Sequence, residues 1–394
     1  MRLVERHIVK GAQFYDLCVR AKNLYNQALY YWRQSIFGNI QYFGEYELSG
    51  LFAKYNEETF RALPSSTGQQ IIKLLFKNIK SWQKVRKEYK ANPGKFSGRP
   101  KMPGYKKEVS IAIFTSAQAR VKNGYIHFPK GSNLPPIKTG VDKVRQVRIV
   151  PNSDHFIVEV VYEKQEKPLR EYNGNWMGID LGLNNLATVA TKEGAFIING
   201  KPLKSMNHWY NKRKRKLQSQ LPEGRFNSKR ITQLTNKRNR KVDDYMHKAS
   251  KMIVGIAKVQ DITKIVIGLN EGWKQNLNVG KKTNRHFTAV PHSAIVAKIA
   301  YKGLLDGTEV LKTQEAYTSK CSALDLEPIQ KHETYVGKRK KRGLFVTSTG
   351  FLMNADHNGA LNIARLGLNA SGNQIPVWEL VSSAALAPIP MAVL

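Results

Sequence analysis

The chain has 394 residues, of which 64 are lysine or arginine and 29 are aspartate or glutamate, so its formal net charge is +35. This length allows two or three folded domains, and a hydrophobic content of 41% excludes a wholly disordered chain. Such an excess of positive charge predicts a polyanionic partner, and nucleic acid is the natural candidate because each neutralised phosphate releases a counterion. A solubilising or membrane-surface charge is the alternative.

The cysteines and the N-terminus limit the class of protein further. Cys18 and Cys321 lie far apart and outside any CxxC pair, which excludes a disulfide framework and a cysteine-rich zinc site. The opening segment MRLVERHIVK lacks the apolar run of a signal peptide. No segment approaches the roughly 20 apolar residues that a bilayer-spanning helix needs. We therefore expect a cytoplasmic protein without a membrane partner.

The first part of the chain predicts a small β-barrel that is interrupted by helices. The residues RLVERHIVK alternate as a short strand does. From about 11 to 90 the apolar spacing is helical, first in FYDLCVRAKNLYNQALYYWRQSIF and then in STGQQIIKLLFKNIKSWQKVRKEY. From about 109 to 163, short β-branched runs separated by turns such as Asn123-Gly124 predict strands. Together with the first strand they would close an antiparallel barrel.

The second helix and the Pro/Gly-rich stretch after it are candidates for nucleic-acid contact. The polar face of the helix is rich in lysine, although a solvated amphipathic helix would show the same pattern. The stretch NPGKFSGRPKMPGYKK interleaves positive charge with aromatic rings, as a groove that follows a nucleic-acid strand does, and a flexible basic linker is the alternative. Trp82 is also spaced to pack in a core. The candidate contact residues are Gln70, Lys73, Lys77, Trp82, Arg99, Lys101, Tyr105 and Lys106.

The second part of the chain predicts an α/β domain, because strands alternate with helices from about residue 173. NWMGIDLGLNNLATVAT is typical of a strand, a glycine turn and a second strand, and TKIVIG is typical of a buried strand. Between them, from about 207 to 260, lies a very basic helical region, and Pro222-Glu223-Gly224 predicts a break in it.

Three acids in this second part can converge at one edge of a sheet. Asp180 ends a buried strand, Glu271 follows the strand KIVIG, and Asp356 precedes a helical pattern. Two of them have a simpler alternative: a turn cap or ion pair for Asp180 and a helix N-cap for Asp356. Together their oxygens would suit two Mg²⁺ ions about 3.5 to 4 Å apart, which activate water and stabilise the leaving oxygen of a phosphodiester.

Several motifs resemble those of the TnpB family of insertion sequences, which are relatives of the single-effector type V CRISPR nucleases. GIDLGLNNLATVAT resembles the first RuvC motif, NADHNGALNIAR the third, and KFSGRPKMPGYK the segment that enters the barrel. YTSKCS followed by RGLFVTSTGFLMNADHN resembles the stretch that leads to the third motif. The resemblance implies a multidomain α+β fold. Residues 1–10 and 108–172 would form a small antiparallel wedge β-barrel, 11–107 an inserted helical recognition domain, and 173–394 an RNase H-like α/β RuvC nuclease domain.

The resemblance also implies a function. The protein would be a Mg²⁺-dependent endonuclease that a guide RNA directs to double-stranded DNA beside a short target-adjacent motif. Its catalytic metal ligands would be Asp180, Glu271 and Asp356, and its guide RNA would come from the transposon end. It would act as a monomer in the ribonucleoprotein, in a bacterial or archaeal cell and in association with the nucleoid.

Two features depart from the family pattern. Many relatives carry the second acid directly after the strand, where this chain has Gly268, so the nearest acid is Glu271. Relatives also carry a four-cysteine zinc ribbon, whereas the insertion at 315–350 keeps only Cys321 and a single nearby histidine, His332, so we expect no zinc there. Gly268 leaves a nuclease-dead, RNA-guided DNA-binding repressor as the main alternative. A DDE-type transposase and a non-catalytic RNA-binding protein are further alternatives.

Overall fold

The computed structural model describes residues 1–38, 41–55, 57–269 and 290–393, and these form two compact units, Met1–Lys164 and Gln165–Leu394. The predicted boundary at 172/173 falls shortly after this division. In the described ranges, no helix has both the length and the apolar character that crossing a bilayer requires.

The first unit combines helices with small antiparallel sheets. Its helices are α1 (Ala12–Phe37), α2 (Glu45–Lys54), α3 (Glu58–Arg61) and α4 (Ser65–Ala91). Its strands are β1 (Arg2–Val9), β2 (Ala112–Thr115), β3 (Arg120–Lys122), β4 (Tyr125–His127), β5 (Ile137–Lys138), β6 (Val144–Asn152) and β7 (His155–Glu163). They pair as a four-stranded sheet, β1-β7-β6-β2, and a three-stranded sheet, β3-β4-β5.

The helical block of the first unit is an insertion between paired strands. β1 pairs with β7 in antiparallel register, although almost the whole unit separates them in the chain. Apolar residues at helical spacing in α1, which include Leu17, Ala21 and Leu24, are fully buried, and so are Ile71 and Leu75 of α4. Helical spacing of apolar residues therefore builds one core from the helices and the sheet together.

The second unit is built around a six-stranded sheet. Its strands are β8 (Trp176–Leu181), β9 (Asn185–Thr191), β10 (Gly194–Asn199), β11 (Lys264–Gly268), β12 (Glu309–Thr313) and the edge strand β16 (Ile389–Met391). A separate small sheet consists of β13 (Lys338–Lys341), β14 (Leu344–Val346) and β15 (Leu352–Asn354). Its described helices are α5 (Lys201–Gln218), α6 (Lys229–Val259), α7 (His292–Asp306), α8 (Ala355–Ala370) and α9 (Val377–Ala385). The break predicted in the basic helical region is confirmed, since it falls between α5 and α6.

The order of the large sheet is β12-β11-β8-β9-β10-β16. β8, β9 and β10 are antiparallel neighbours, whereas β11 and β12 run parallel to β8. The carboxyl ends of β8, β11 and β12 therefore meet at one edge. Both faces of the sheet are covered, because alternate residues of β8 join different cores: Met177 and Ile179 join one, and Trp176 joins the other with α8.

Small residues let α8 approach the sheet closely. A Cβ on Gly178 of β8 would lie 2.2 Å from the carbonyl oxygen of Ala360, and a Cβ on Gly367 would lie 2.2 Å from Val266 Cγ1. Because neither glycine carries one, the helix lies directly on β8 and β11 and brings its N-terminus to the edge where those strands end.

Candidate metal centre

Asp180 lies near the end of β8, on the face of the sheet that α8 covers. Residues two apart in a strand point to the same face, so Asp180 points to the same side as Gly178. Its carboxylate touches α8, since a Cβ on Gly359 would lie 2.9 Å from Asp180 Oδ2. Among the residues that the structure describes, none forms a hydrogen bond or an ion pair with this carboxylate. Neither the turn-cap nor the ion-pair alternative for Asp180 is therefore supported.

The pKa of Asp180 is strongly perturbed. Its side chain is partly exposed through a pocket, but protein atoms surround the carboxylate closely, and this burial raises its pKa from 3.8 to about 8. The negative charges of Glu315 and Asp356 raise the pKa further, while Arg339 opposes them. Ionising Asp180 in the metal-free protein therefore costs free energy, which a bound cation would offset.

Asp356 lies in the first turn of α8, and its carboxylate does not cap the helix. The N-cap of the helix is Asn354, whose Oδ1 accepts hydrogen bonds from the backbone N–H groups of Asp356 and His357 at 2.9 and 3.2 Å. The N-cap alternative for Asp356 is thus wrong. Its Oδ2 accepts a hydrogen bond of 2.8 Å from Asn185 Nδ2, and its Oδ1 lies 3.2 Å from Arg339 Nη2.

Asp180 and Asp356 line one open pocket of about 540 Å³. Arg339 and Arg342, from β13 and the turn after it, line the same pocket. The pocket therefore combines two carboxylates with two guanidinium groups, which is the arrangement needed to bind a phosphate beside a cation.

The third predicted acid, Glu271, lies outside the described residues. The structure instead brings a different acid to the pair, because Glu315, two residues beyond the end of β12, interacts electrostatically with Asp180. Burial raises the pKa of Glu315 to about 7. Sequence reasoning missed this residue, since it belongs to no motif. The one signal was an acid shortly after the strand-like run EVLKT.

Buried amides fix the segment that follows Glu315. Asn362 Nδ2 donates hydrogen bonds to the carbonyl oxygens of Thr318 and Cys321, at 2.9 and 2.7 Å. Asn358 Nδ2 donates to the Cys321 carbonyl at 2.9 Å, while its Oδ1 accepts from Ala323 N, also at 2.9 Å. Because both asparagines are fully buried in α8, they hold residues 318–323 against the helix that carries Asp356.

A second group of possible ligands lies in the insertion at 315–350. Ligand atoms of Cys321, Glu327 and His332 lie within 4.8 Å of one another, so Glu327 joins the two residues that the sequence singled out. Its carboxylate already accepts hydrogen bonds from Ser322 N at 2.7 Å and Val336 N at 3.0 Å. These bonds tie the loop to Glu327, and the absence of zinc stays a prediction.

The predicted nucleic-acid contacts all lie in the first unit. Lys73, Lys77, Arg99, Lys101 and Tyr105 are exposed, whereas Gln70, Trp82 and Lys106 are half-buried. Trp82 packs against the core of that unit, and its Nε1 donates a hydrogen bond of 3.2 Å to the Pro100 carbonyl. Lys106 Nζ lies 5.1 Å from the centre of the Tyr25 ring. Both therefore have structural roles, and their contact with nucleic acid stays a prediction.

Comparison with solved structures shows the fold. The chain is similar to that in "Cryo-EM structure of CasPhi-2 (Cas12j) bound to crRNA", with a TM-score of 0.50, 9% identity, and coverage of 95% of this chain and 99% of that chain. It is also similar to "Cryo-EM structure of the Cas12f1-sgRNA-target DNA complex", with a TM-score of 0.38, 18% identity, and coverage of 92% and 99%. The first similarity, with its TM-score of 0.50, shows that the chain has a multidomain α+β fold similar to that of a Cas12 effector.

Comparison with family models covers much of the second unit. Residues 159–274 match OrfB_IS605, described as "Probable transposase", and residues 292–363 match "Cas12f1-like, TNB domain". No curated protein matches the chain. These two matches confirm the resemblance to the TnpB family that the sequence motifs predict.

Proposed function

We propose that this protein is a transposon-associated, RNA-guided endonuclease that cleaves double-stranded DNA by Mg²⁺-dependent hydrolysis. The observation that carries the proposal is the convergence of Asp180 and Asp356 in one pocket with Arg339 and Arg342. Burial and the negative charge of Asp356 disfavour the charged form of Asp180, and a bound cation would offset that cost. The match to a transposase family model supports the same class of reaction.

The residues present fit magnesium. Carboxylate oxygens are the protein ligands that Mg²⁺ prefers, and the ion retains waters that can contact a phosphate. Asp180 has no competing hydrogen bond in the described part of the chain. Asp356 Oδ1 forms an ion pair with Arg339, and a bound phosphate could take the place of Asp356 as the partner of this arginine. Bound magnesium would supply an activated water and would stabilise the leaving oxygen of the phosphodiester.

The side chains have separate roles in this mechanism. Asp180 holds its position because Gly359 lets α8 pack against the carboxylate, and Asp356 is oriented by the amide of Asn185. Arg339 and Arg342 bind the phosphate flanking the cut, since a guanidinium group can donate two parallel hydrogen bonds to phosphate oxygens. The sheet order, a three-stranded meander followed by two parallel strands, supports an RNase H-like RuvC domain.

We further propose that a guide RNA from the transposon end supplies the target sequence, because the similar structure with a TM-score of 0.50 contains a crRNA. The first unit would be the wedge and recognition domains, reading the target-adjacent motif and holding nucleic acid through Lys73, Lys77, Arg99, Lys101 and Tyr105. The active particle would be a monomer with its RNA. Specificity then comes from base pairing, and the protein contributes positive charge.

The test is reconstitution of the purified protein with its co-purified RNA, once that RNA has been sequenced, and a matching DNA duplex in Mg²⁺. We expect cleavage by the wild type and none by Asp180→Ala, with target binding intact in both. Removal of Mg²⁺ with EDTA should abolish cleavage. Cleavage that is unchanged in Asp180→Ala would contradict the proposed site.

A guided repressor is the second candidate, and Gly268 is the observation that favours it, since a side-chain carboxylate is missing at the end of β11. In that case both proteins would bind the matched duplex and neither would cut it. A DDE-type transposase would instead join transposon ends to a target without any RNA, so RNase treatment before the assay separates that activity from guided cleavage.

A further inference from the structure

The geometry points to Glu315 as the third metal-binding carboxylate of the site, reaching Asp180 from the end of β12 across the space that Gly268 leaves open. This inference rests on the proposed function, because it names a ligand of the same metal centre. It departs from the sequence-based assignment of Glu271. Four features of the structure carry it.

The strand register places position 268 beside Asp180. β11 is parallel to β8, and its pairing includes Ile267 with Ile179, so the next residues, Gly268 and Asp180, are neighbours across the two strands. Both point to the α8 face, since a Cβ on Gly268 would lie 2.6 Å from Ile363 Cδ1 of that helix. A carboxylate here would reach the cation held by Asp180, but Gly268 cannot supply one.

Glu315 fills the place of the missing side chain. β12 is the neighbour of β11 on the other side, and Gly268 pairs with Thr313, two residues before Glu315. A Cβ on Gly268 would lie 2.6 Å from Glu315 Cγ and 2.7 Å from Glu315 Oε1. The Glu315 side chain therefore lies over Gly268 and directs its carboxylate into that space. A larger residue at 268 and glutamate at 315 exclude each other sterically.

The electrostatics of the pair favour a cation between them. Glu315 is half-buried, and its negative charge is a larger influence on Asp180 than that of Asp356. Without a counterion, two such carboxylates repel each other in a poorly solvated site, whereas a shared divalent ion turns the repulsion into two favourable contacts. Glu315 does not line the open pocket, so it would approach the ion from the protein side.

The backbone at Glu315 is held rigidly. Its carbonyl oxygen accepts hydrogen bonds from the backbone N–H of Thr318 at 3.3 Å and from Thr318 Oγ1 at 2.9 Å. The carbonyl of Thr318 is in turn bound by the buried Asn362 of α8. The helix that positions Asp356 thus also positions Glu315, which is the rigid support that a metal ligand requires.

Metal binding is the first readout of the test. The purified full-length chain is titrated with Mn²⁺, and the free ion is followed by its paramagnetic resonance signal. Glu315→Gln is expected to weaken the tightest site more than about 100-fold, because loss of a ligand should exceed the effect of losing an outer partner. Glu309→Gln, at the opposite end of β12, is the matched control and should bind as the wild type does.

DNA cleavage by the RNA-loaded protein is the second readout. Glu315→Gln should lose cleavage along with Mn²⁺ binding, while Glu309→Gln keeps both. Retention of both by Glu315→Gln, or loss of both by Glu271→Gln alone, overturns the inference and leaves the proposed function standing. A wild type that binds target DNA without cutting refutes the proposed function, and the Mn²⁺ comparison still decides the role of Glu315.

A double variant tests the exchange of positions directly. Glu315→Ala removes Cγ and the carboxylate, so the remaining close contact of a Cβ at 268 is the end of the Ile363 side chain at 2.6 Å, which can rotate away. Adding Gly268→Glu to Glu315→Ala should restore Mn²⁺ affinity at least about tenfold over Glu315→Ala alone. If the double variant has the same melting temperature as Glu315→Ala but binds Mn²⁺ no more tightly, the side chains at 268 and 315 do not share one space beside Asp180.

Discussion

Asp180 shows how the surroundings of one side chain can indicate a cation site. Its carboxylate is held against α8 by the absence of a side chain at Gly359, and burial together with two neighbouring acids disfavours its charged form. In the metal-free protein the fold therefore stores an electrostatic cost at this residue. A cation in the pocket would recover that cost as binding free energy.

Titration of Asp180 should make the metal-free protein less stable as the pH rises. The folded pKa is about 8 against 3.8 for the ordinary group, so between these values the folded state holds a proton that the unfolded state has released. Stability from this group is complete below about pH 4, declines through that interval, and is lost above about pH 8. Asp180→Asn should remove this decline, so its melting temperature in EDTA should exceed that of the wild type at pH 8 and match it at pH 4. An equal decline in both proteins would contradict the assignment.

At the residue scale, the sequence predicted Asp180 and Asp356 because each sits in a motif at an element boundary. It did not predict Glu315, because its role arises from the pairing of Gly268 with Thr313, which brings a later residue across an intervening strand. A one-dimensional pattern does not contain that register. It also left open whether Asp356 was a helix cap, which only the side chain of Asn354 decides.

At the element scale, the long helices and the break between α5 and α6 were predictable from apolar spacing and from Pro222-Glu223-Gly224. The order of the strands in the sheet was harder to predict from the sequence, because long connections separate β11 and β12 from β8 in the chain. Closure of the wedge barrel stays a prediction, since the pairing that the structure records in the first unit is that of two small sheets.

Close packing of α8 on β8 gives a stability prediction. Gly178→Ala places a methyl group 2.2 Å from the Ala360 carbonyl oxygen, so the helix must move outward. We expect the free energy of unfolding to fall by about 1–3 kcal/mol. DNA cleavage should fall as well, because the displaced helix carries Asp356. Gly50→Ala in α2, where nothing lies within 4 Å, is the control and should be neutral or stabilising. Urea denaturation measures both; equal stability of the two variants would refute the packing argument.

The buried asparagine of α8 gives a second prediction at this scale. Asn362→Ala removes the donor to the Thr318 carbonyl and one donor to the Cys321 carbonyl. Leaving buried groups without a partner should reduce the free energy of unfolding by about 1–3 kcal/mol. Because the same segment carries Glu315, Mn²⁺ affinity should fall as well. Asn369→Ala, at an exposed position of the same helix, is the control. Normal Mn²⁺ affinity in Asn362→Ala would contradict the role of this segment in positioning Glu315.

At the scale of the whole molecule, the net charge of +35 should dominate nucleic-acid affinity. The logarithm of the association constant should fall linearly with the logarithm of salt concentration, since bound phosphates release counterions. The double variant Lys73→Ala/Lys77→Ala should make this slope less steep by about two, one for each phosphate that a lysine no longer neutralises. Gln83→Ala, which removes an exposed uncharged side chain from α4, should leave it unchanged. Filter binding over a range of salt measures the slopes, and identical slopes would exclude this face of α4 from the interface.

The most direct measurement is anomalous diffraction from crystals of the protein grown with Mn²⁺. We expect a strong peak at the edge where β8, β11 and β12 end, about 2.1 Å from carboxylate oxygens of Asp180, Asp356 and Glu315. A map with no peak beside Asp180, or with an ion there that Glu315 does not reach, would contradict it.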